Sequence, residues 1–220
     1  MAIFGSTLVN LVKSGKVFDV ESMLSKGADP NLLEDGLSPL RVAVAMGYPA
    51  IVEMLVNKGA TVNEQYDQGQ TVLMKAVTTG KIETTRFLIS RRADIHAKDN
   101  RGWTPLIYAA TGGHGDTFAY LLYNLAEIDA QDNEGWTPLM HASSKNNDKI
   151  VKILLDRKAN LHLKNKDSQT ALDVAEFRRN KIIIELLKEA LNKEIEEKKV
   201  EESQSSLFQD LFDLKESLTF

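Results

Sequence analysis

The sequence predicts an all-α solenoid of stacked helix-turn-helix layers, and three observations carry that prediction. The tetrapeptides Ser38-Pro39-Leu40-Arg41, Thr71-Val72-Leu73-Met74, Thr104-Pro105-Leu106-Ile107, Thr137-Pro138-Leu139-Met140 and Thr170-Ala171-Leu172-Asp173 each begin 33 residues after the one before. An alanine follows every one of these leucines by three positions: Ala43, Ala76, Ala109, Ala142 and Ala175. Gly36, Gly69, Gly102 and Gly135 stand two residues ahead of four units, and Ser168 takes that place in the last. A fixed period held through five units is the mark of an array in which each unit is one supersecondary piece.

Each unit can be read element by element. The Thr or Ser is a helix start, because its hydroxyl accepts from free backbone N–H groups. Proline fits the first helical turn, where its missing N–H is not needed. The leucine and alanine face inward, and the small alanine lets neighbouring helices approach. Gly15, Gly47, Gly80 and Gly113 are placed to close the first helix in a left-handed conformation. A second apolar helix follows in each unit, as in Ile51-Val52-Glu53-Met54-Leu55-Val56 and Ile150-Val151-Lys152-Ile153-Leu154-Leu155. Turns such as Asp99-Asn100-Arg101-Gly102 and Asp132-Asn133-Glu134-Gly135 then lead, hairpin-like, to the next unit.

One unit cannot bury its own apolar face, so stacking supplies the core and the end units carry polar outer faces. The expected division is an N-terminal capping unit at 1–35, repeats at 36–68, 69–101, 102–134 and 135–167, a C-terminal cap with an extended helix at 168–202, and an amphipathic tail at 203–220.

The pattern resembles the ankyrin repeat, whose signature includes T-P-L-H-x-A. The closest matches are Thr104-Pro105-Leu106-Ile107-Tyr108-Ala109 and Thr137-Pro138-Leu139-Met140-His141-Ala142, and the resemblance covers roughly residues 6–190. It implies an ankyrin-repeat solenoid that binds another protein on its concave side, built from the turn tips and the first helix of each unit. Carried over position by position, it selects Asn100, Arg101, Trp103 and Thr111 in one unit, and Asn133, Glu134, Trp136 and Lys145 in the next. Gln70 and Tyr66 fall in the unit before. Trp103 and Trp136 are the only tryptophans and occupy the same repeat position. With packed elements about 10 Å apart, the two rings are expected side by side on one face. Trp, Tyr and Arg dominate binding hot spots, so the pair is a candidate anchor; packing over the turn is the competing explanation. Tyr108 either extends the aromatic strip or lines the groove.

The same resemblance gives His114, beside Gly113, a structural hydrogen bond to the adjoining loop, and makes His96 and His162 satisfied turn residues. His141 reads as a helix-surface residue, with a groove contact or a weak pH sensor as the functional alternative. Four histidines in separate repeats make no metal cluster without convergent geometry.

Composition narrows the function further. The chain has 220 residues, is 43% hydrophobic and carries a formal net charge of −4. The whole of that charge falls in residues 181–220, so no basic face invites nucleic acid. The absence of cysteine excludes disulfides and thiol chemistry. No apolar run approaches membrane-spanning length, and the N-terminus lacks the pattern of a signal peptide. A cytoplasmic setting is expected, with delivery into a host cell as the alternative. No cofactor, metal or catalytic residue is expected. Thr111-Gly112-Gly113-His114-Gly115 is glycine-rich but lies at a helix end, not after a strand as a phosphate loop would. An adaptor or inhibitor, monomeric by itself, is the leading reading.

The tail carries the runner-up. Lys193 to Glu202 is almost wholly charged, and Ser203-Gln204-Ser205-Ser206 is expected to break the helix. Beyond it Leu207, Leu211, Leu214 and Leu218 fall on one stripe, with Phe208 and Phe212 beside it and Asp210, Asp213 and Glu216 opposite. Folding back as an extra cap, docking in a partner's groove and resting on a membrane all remain open. Its acidic polar face disfavours the last.

Overall fold

The structure is a computed structural model that describes residues 7–217, with side chains described through residue 204. The Thr or Ser ahead of each first helix caps it. Ser38, Thr71, Thr104, Thr137 and Thr170 each accept from the backbone N–H three residues on, at 3.2–3.3 Å. Thr7 does the same for Asn10 in the opening unit. The helices they start are α1 (Leu8–Lys13), α3 (Pro39–Met46), α5 (Val72–Thr78), α7 (Pro105–Gly112), α9 (Pro138–Ser144) and α11 (Ala171–Arg178). Each turns into an antiparallel second helix: α2 (Val17–Ser25), α4 (Pro49–Asn57), α6 (Ile82–Ser90), α8 (Gly115–Tyr123), α10 (Asp148–Asp156) and α12 (Lys181–Ser217).

The left-handed closing position is glycine in the units containing Gly15, Gly47, Gly80 and Gly113, but Asn146 and Arg179 take it in the last two, with φ of 60° and 58°. Asparagine tolerates that region because its short amide bonds locally; a glycine pattern alone does not find it.

Stacking the pairs makes one continuous hydrophobic core. Its inner seam is Leu40, Leu73, Leu106 and Leu139 with the five repeat alanines, all fully buried. Its outer seam is Ile51, Leu55, Leu88, Leu121, Ile150, Leu154, Ile183 and Leu187 from the second helices. At about 25 cal/mol per Å² of apolar surface removed from water, this burial supplies the stability that no single unit has by itself.

Polar joints set the register between layers. At the turn tips, Asn100 N donates to Gln68 O at 2.8 Å, Asn133 N to Arg101 O at 2.9 Å and Lys166 N to Glu134 O at 3.0 Å. These bonds make the tips hairpin-like, although no extended strand occurs among the described residues. Between helices, His114 Nε2 lies 3.0 Å from Thr78 O, the loop contact the resemblance implies. Asn147 and Asn180, at the same repeat position, donate back to Ala110 O and Ser143 O. Gly102 is required at its tip: its φ is +77°, and a Cβ there would sit 2.5 Å from Asn133 Oδ1.

One expectation fails. No break occurs at Ser203-Gln204-Ser205-Ser206; α12 runs unbroken to Ser217. Serine and glutamine cost a helix only tenths of a kcal/mol each, and neither glycine nor proline is present to stop it. The backbone makes no turn at 203–206 that would carry the tail back onto the repeats. α12 packs against α10 and α11, is held by His162 Nε2 at 2.8 Å from Glu194 Oε2, and is exposed from Ile195 through Gln204. The side chains of Leu207, Phe208, Leu211 and Phe212 lie outside the described residues.

Candidate partner-binding face

Two aspartates at equivalent positions, Asp99 and Asp132, organise the face formed by the turn tips and the first helices. Asp99 Oδ1 accepts from Arg101 N at 2.9 Å and Trp103 N at 2.8 Å. Asp132 Oδ1 accepts from Glu134 N at 2.9 Å and Trp136 N at 2.8 Å. One carboxylate oxygen therefore folds each tip and fixes the backbone of each tryptophan. The other oxygen reaches the first helix that follows. Tyr108 Oη donates to Asp99 Oδ2 at 2.8 Å, and His141 Nε2 lies 2.9 Å from Asp132 Oδ2. An ionised carboxylate only accepts, so Nε2 is the protonated nitrogen of His141.

Between these anchors the aromatic rings interleave. The His141 ring sits edge-on to Trp103, with centroids 4.7 Å apart, and tilted against Trp136 at 5.3 Å. The two tryptophans thus flank an imidazole rather than lying directly against each other. Tyr108 meets the other side of Trp103 edge-on at 5.2 Å. The Arg101 guanidinium covers Trp103 at 4.0 Å and donates to Tyr108 Oη at 2.9 Å. Gln70 Nε2 donates to the same hydroxyl at 2.6 Å. His141 is therefore no helix-surface residue: it is 8% exposed, because the tryptophans on both sides and Asp132 beneath fill the space around it. Tyr108 is buried groove lining that also backs the strip. Burial pushes the His141 imidazole below its ordinary value, against the opposing pull of Asp132. Burial likewise raises the Tyr108 phenol.

The structure thus brings Gln70, Arg101, Trp103 and Trp136 into one assembly, joined through Tyr108 and His141. Trp103 and Trp136 remain half-buried. Tyr66 stands further along, half-buried under the Arg41 guanidinium at 4.2 Å, with its hydroxyl on Thr71 O at 2.9 Å. The other expected residues are not gathered there. Asn133 Nδ2 donates to Asn100 O at 2.9 Å, so that pair stitches adjacent tips. Glu134 is exposed and faces Lys166 at 3.5 Å. Thr111 Oγ1 bonds back to Ile107 O within its own helix, and Lys145 is exposed at the end of α9.

Sequence reasoning missed Arg41 and the second role of each aspartate. A signal for the latter existed: Asp99 precedes Tyr108, and Asp132 precedes His141, by the same nine residues. Among the described residues no cluster of His, Asp and Glu has metal-holding geometry, and no helix is long and apolar enough to cross a membrane.

Comparison with known proteins agrees with the repeat geometry. A family model described as ankyrin repeats (3 copies) matches residues 61–132 and 117–199, and a single ankyrin repeat model matches residues 35–67. The 2-5A-dependent ribonuclease of Mus musculus is 40% identical over 68 residues, covering 30% of this chain and 9% of that protein. The chain thus spans only a small part of that relative's length.

Proposed function

The chain belongs to the ankyrin repeat family, and we propose that it is a non-catalytic adaptor or inhibitor that grips a partner protein with its concave face. Ankyrin repeats generally mediate protein–protein interaction. The observation that carries the finer reading is the Trp103–His141–Trp136 row. The Trp103 and Trp136 rings are half-buried, and each is fixed through its backbone N–H on Asp99 or Asp132 and packs against the buried His141 ring. Such rings arrive at an interface already ordered and lose little conformational entropy on binding. The Asp99 and Asp132 carboxylates around them serve tip folding and tryptophan placement. The expected caps at 1–35 and 168–202 close the stack at its two ends.

A photo-crosslinking amino acid placed at Glu134 on the concave tips, and separately at Arg86 on the second-helix side, tests the reading in cells of the source organism. A discrete adduct from position 134 and none from position 86 supports it. The reverse pattern refutes it. Recruitment through the tail is the second reading, favoured by the unbroken course of α12. Deleting residues 203–220 abolishes partner binding in that case and leaves it intact in the first.

A further inference from the structure

Apart from the aromatic row, the concave side holds a second feature, nearer its N-terminal end. A groove of about 310 Å³ opens across α1, α3 and α5. Leu37, Met46 and Tyr66 give it an apolar floor, and Lys13, Arg41 and Lys75 rim it. Met46 is 51% exposed there, a cost in hydration that its place in the fold does not require. Arg41 is neutralised by Asp67. Lys13 and Lys75 pair with no carboxylate among the described residues. An apolar slot with two unspent ammonium groups is complementary to a helix that presents leucines or phenylalanines beside carboxylates.

The sequence supplies such a helix. In residues 207–216, Leu207, Leu211 and Leu214 share a stripe while Asp210 and Asp213 lie off it, and the backbone there is helical. It cannot reach the groove of its own chain. α12 packs on α10 and α11 at the C-terminal end of the stack and continues as one helix, so residues 195–217 form a rod of roughly 34 Å at about 1.5 Å per residue with no turn to carry it back along the stack.

We infer that this groove receives the acidic C-terminal helix of a second copy of the chain, so that two copies exchange tails and cover part of each other's concave face. On this inference the chain exists in a concentration-dependent equilibrium between monomer and dimer, where the sequence predicts a monomer. Two copies that exchange tails reciprocally about a two-fold axis close at the dimer, whereas one-way donation of the tail would build a head-to-tail chain. The inference rests on the concave side being a docking face. It can nevertheless fail while the partner reading stands, because Trp103, His141 and Trp136 lie outside the groove lining, although Gln70 lines the groove and also bonds Tyr108 beside that row.

Sedimentation velocity of the full chain, across about 1–100 µM as suits micromolar affinity and at low and high salt, tests it. Wild type shifts from monomer to dimer with concentration, and the shift weakens with salt. Lys13→Glu with Lys75→Glu stays monomeric, as does Asp210→Lys with Asp213→Lys. Combining all four substitutions restores the dimer, a result that general misfolding cannot produce. Circular dichroism confirms the helical content of each variant, and Lys13→Gln with Lys75→Gln replaces the glutamates should they disturb it. A wild type monomeric at every concentration overturns the inference. So does a dimer that survives both charge reversals, or a fourfold variant that stays monomeric. Loss of crosslinking at position 134 with the dimer intact would instead count against the partner reading alone.

Discussion

Tyr108 and His141 occupy the same position in consecutive repeats, and each binds the outer carboxylate oxygen of the aspartate nine residues before it, at 2.8 Å and 2.9 Å. Two chemically different side chains therefore do one job. Each ties a first helix to the tip ahead of it and so fixes the tryptophan that the tip carries. Because the Asp132 side chain is only 5% exposed, removing its partner leaves a buried oxygen unsatisfied. His141→Phe should lower stability by about 1–3 kcal/mol. His141→Tyr, which copies the arrangement at Tyr108, should cost less than about 1 kcal/mol. Urea midpoints of the two variants decide it; a phenylalanine as stable as wild type would show that the Asp132 bond contributes nothing.

The same histidine gives stability a pH dependence of known sign. Its imidazole is pushed below its ordinary value mainly by burial, with Lys145 and Arg101 adding to the shift and Asp132 opposing it. In the unfolded chain it takes a proton near the usual value of about 6.5, while in the fold it does so only at lower pH. The unfolded state thus binds more protons in between. The contribution of the neutral ring is complete above the unfolded value and is lost as pH falls through the folded one. Wild type should lose stability between about pH 7 and 5 more steeply than His141→Tyr, which has no imidazole there. Parallel curves in paired urea titrations would remove the effect.

These two residues also mark how far the sequence could be read. The helix pairs were legible because Thr-Pro-Leu and the following alanine obey local rules of capping and packing that act within one unit. Trp103 and Trp136 were legible as a pair from their repeat position alone. What lay between them was not. A histidine at the fifth position of Thr137-Pro138-Leu139-Met140-His141 looks like a helix-surface residue until neighbouring units are stacked, and only then do two tryptophans from different tips close over it. The tip joint at Asn133 was illegible for the same reason: its side-chain amide looks free until the adjacent tip offers the Asn100 carbonyl. The helical course of residues 203–206 was missed because serine is a weak breaker, decided by its neighbours rather than by itself.

Gly102 tests the tip joints directly. At φ +77° an alanine would also place its Cβ 2.5 Å from Asn133 Oδ1 and 2.8 Å from Asn133 N, in the region that stitches two repeats. Gly59 has φ +94° with nothing within 4 Å, so alanine there meets backbone strain alone. Gly59→Ala should cost about 1–2 kcal/mol, and Gly102→Ala clearly more, about 2–4 kcal/mol once the displaced joint is added to the strain. Chemical denaturation of both variants supplies the comparison. Equal losses would show that the tip ladder gives way without resistance.

The aromatic row makes the most direct claim on function. Trp103 and Trp136 are held in place by backbone bonds to Asp99 and Asp132, so replacing their side chains by alanine removes contact surface while leaving the tips folded. If the row anchors a partner, the double variant should bind that partner about 2–4 kcal/mol more weakly. His141→Tyr, which keeps an aromatic ring between them, should bind within about tenfold of wild type. Calorimetric titration with the crosslinked partner, once identified, measures both, and thermal melting separates lost affinity from lost fold. A double variant that stays folded and binds as wild type does would assign these rings to packing over the turns, and would shift the search for the contact surface to the exposed course of α12.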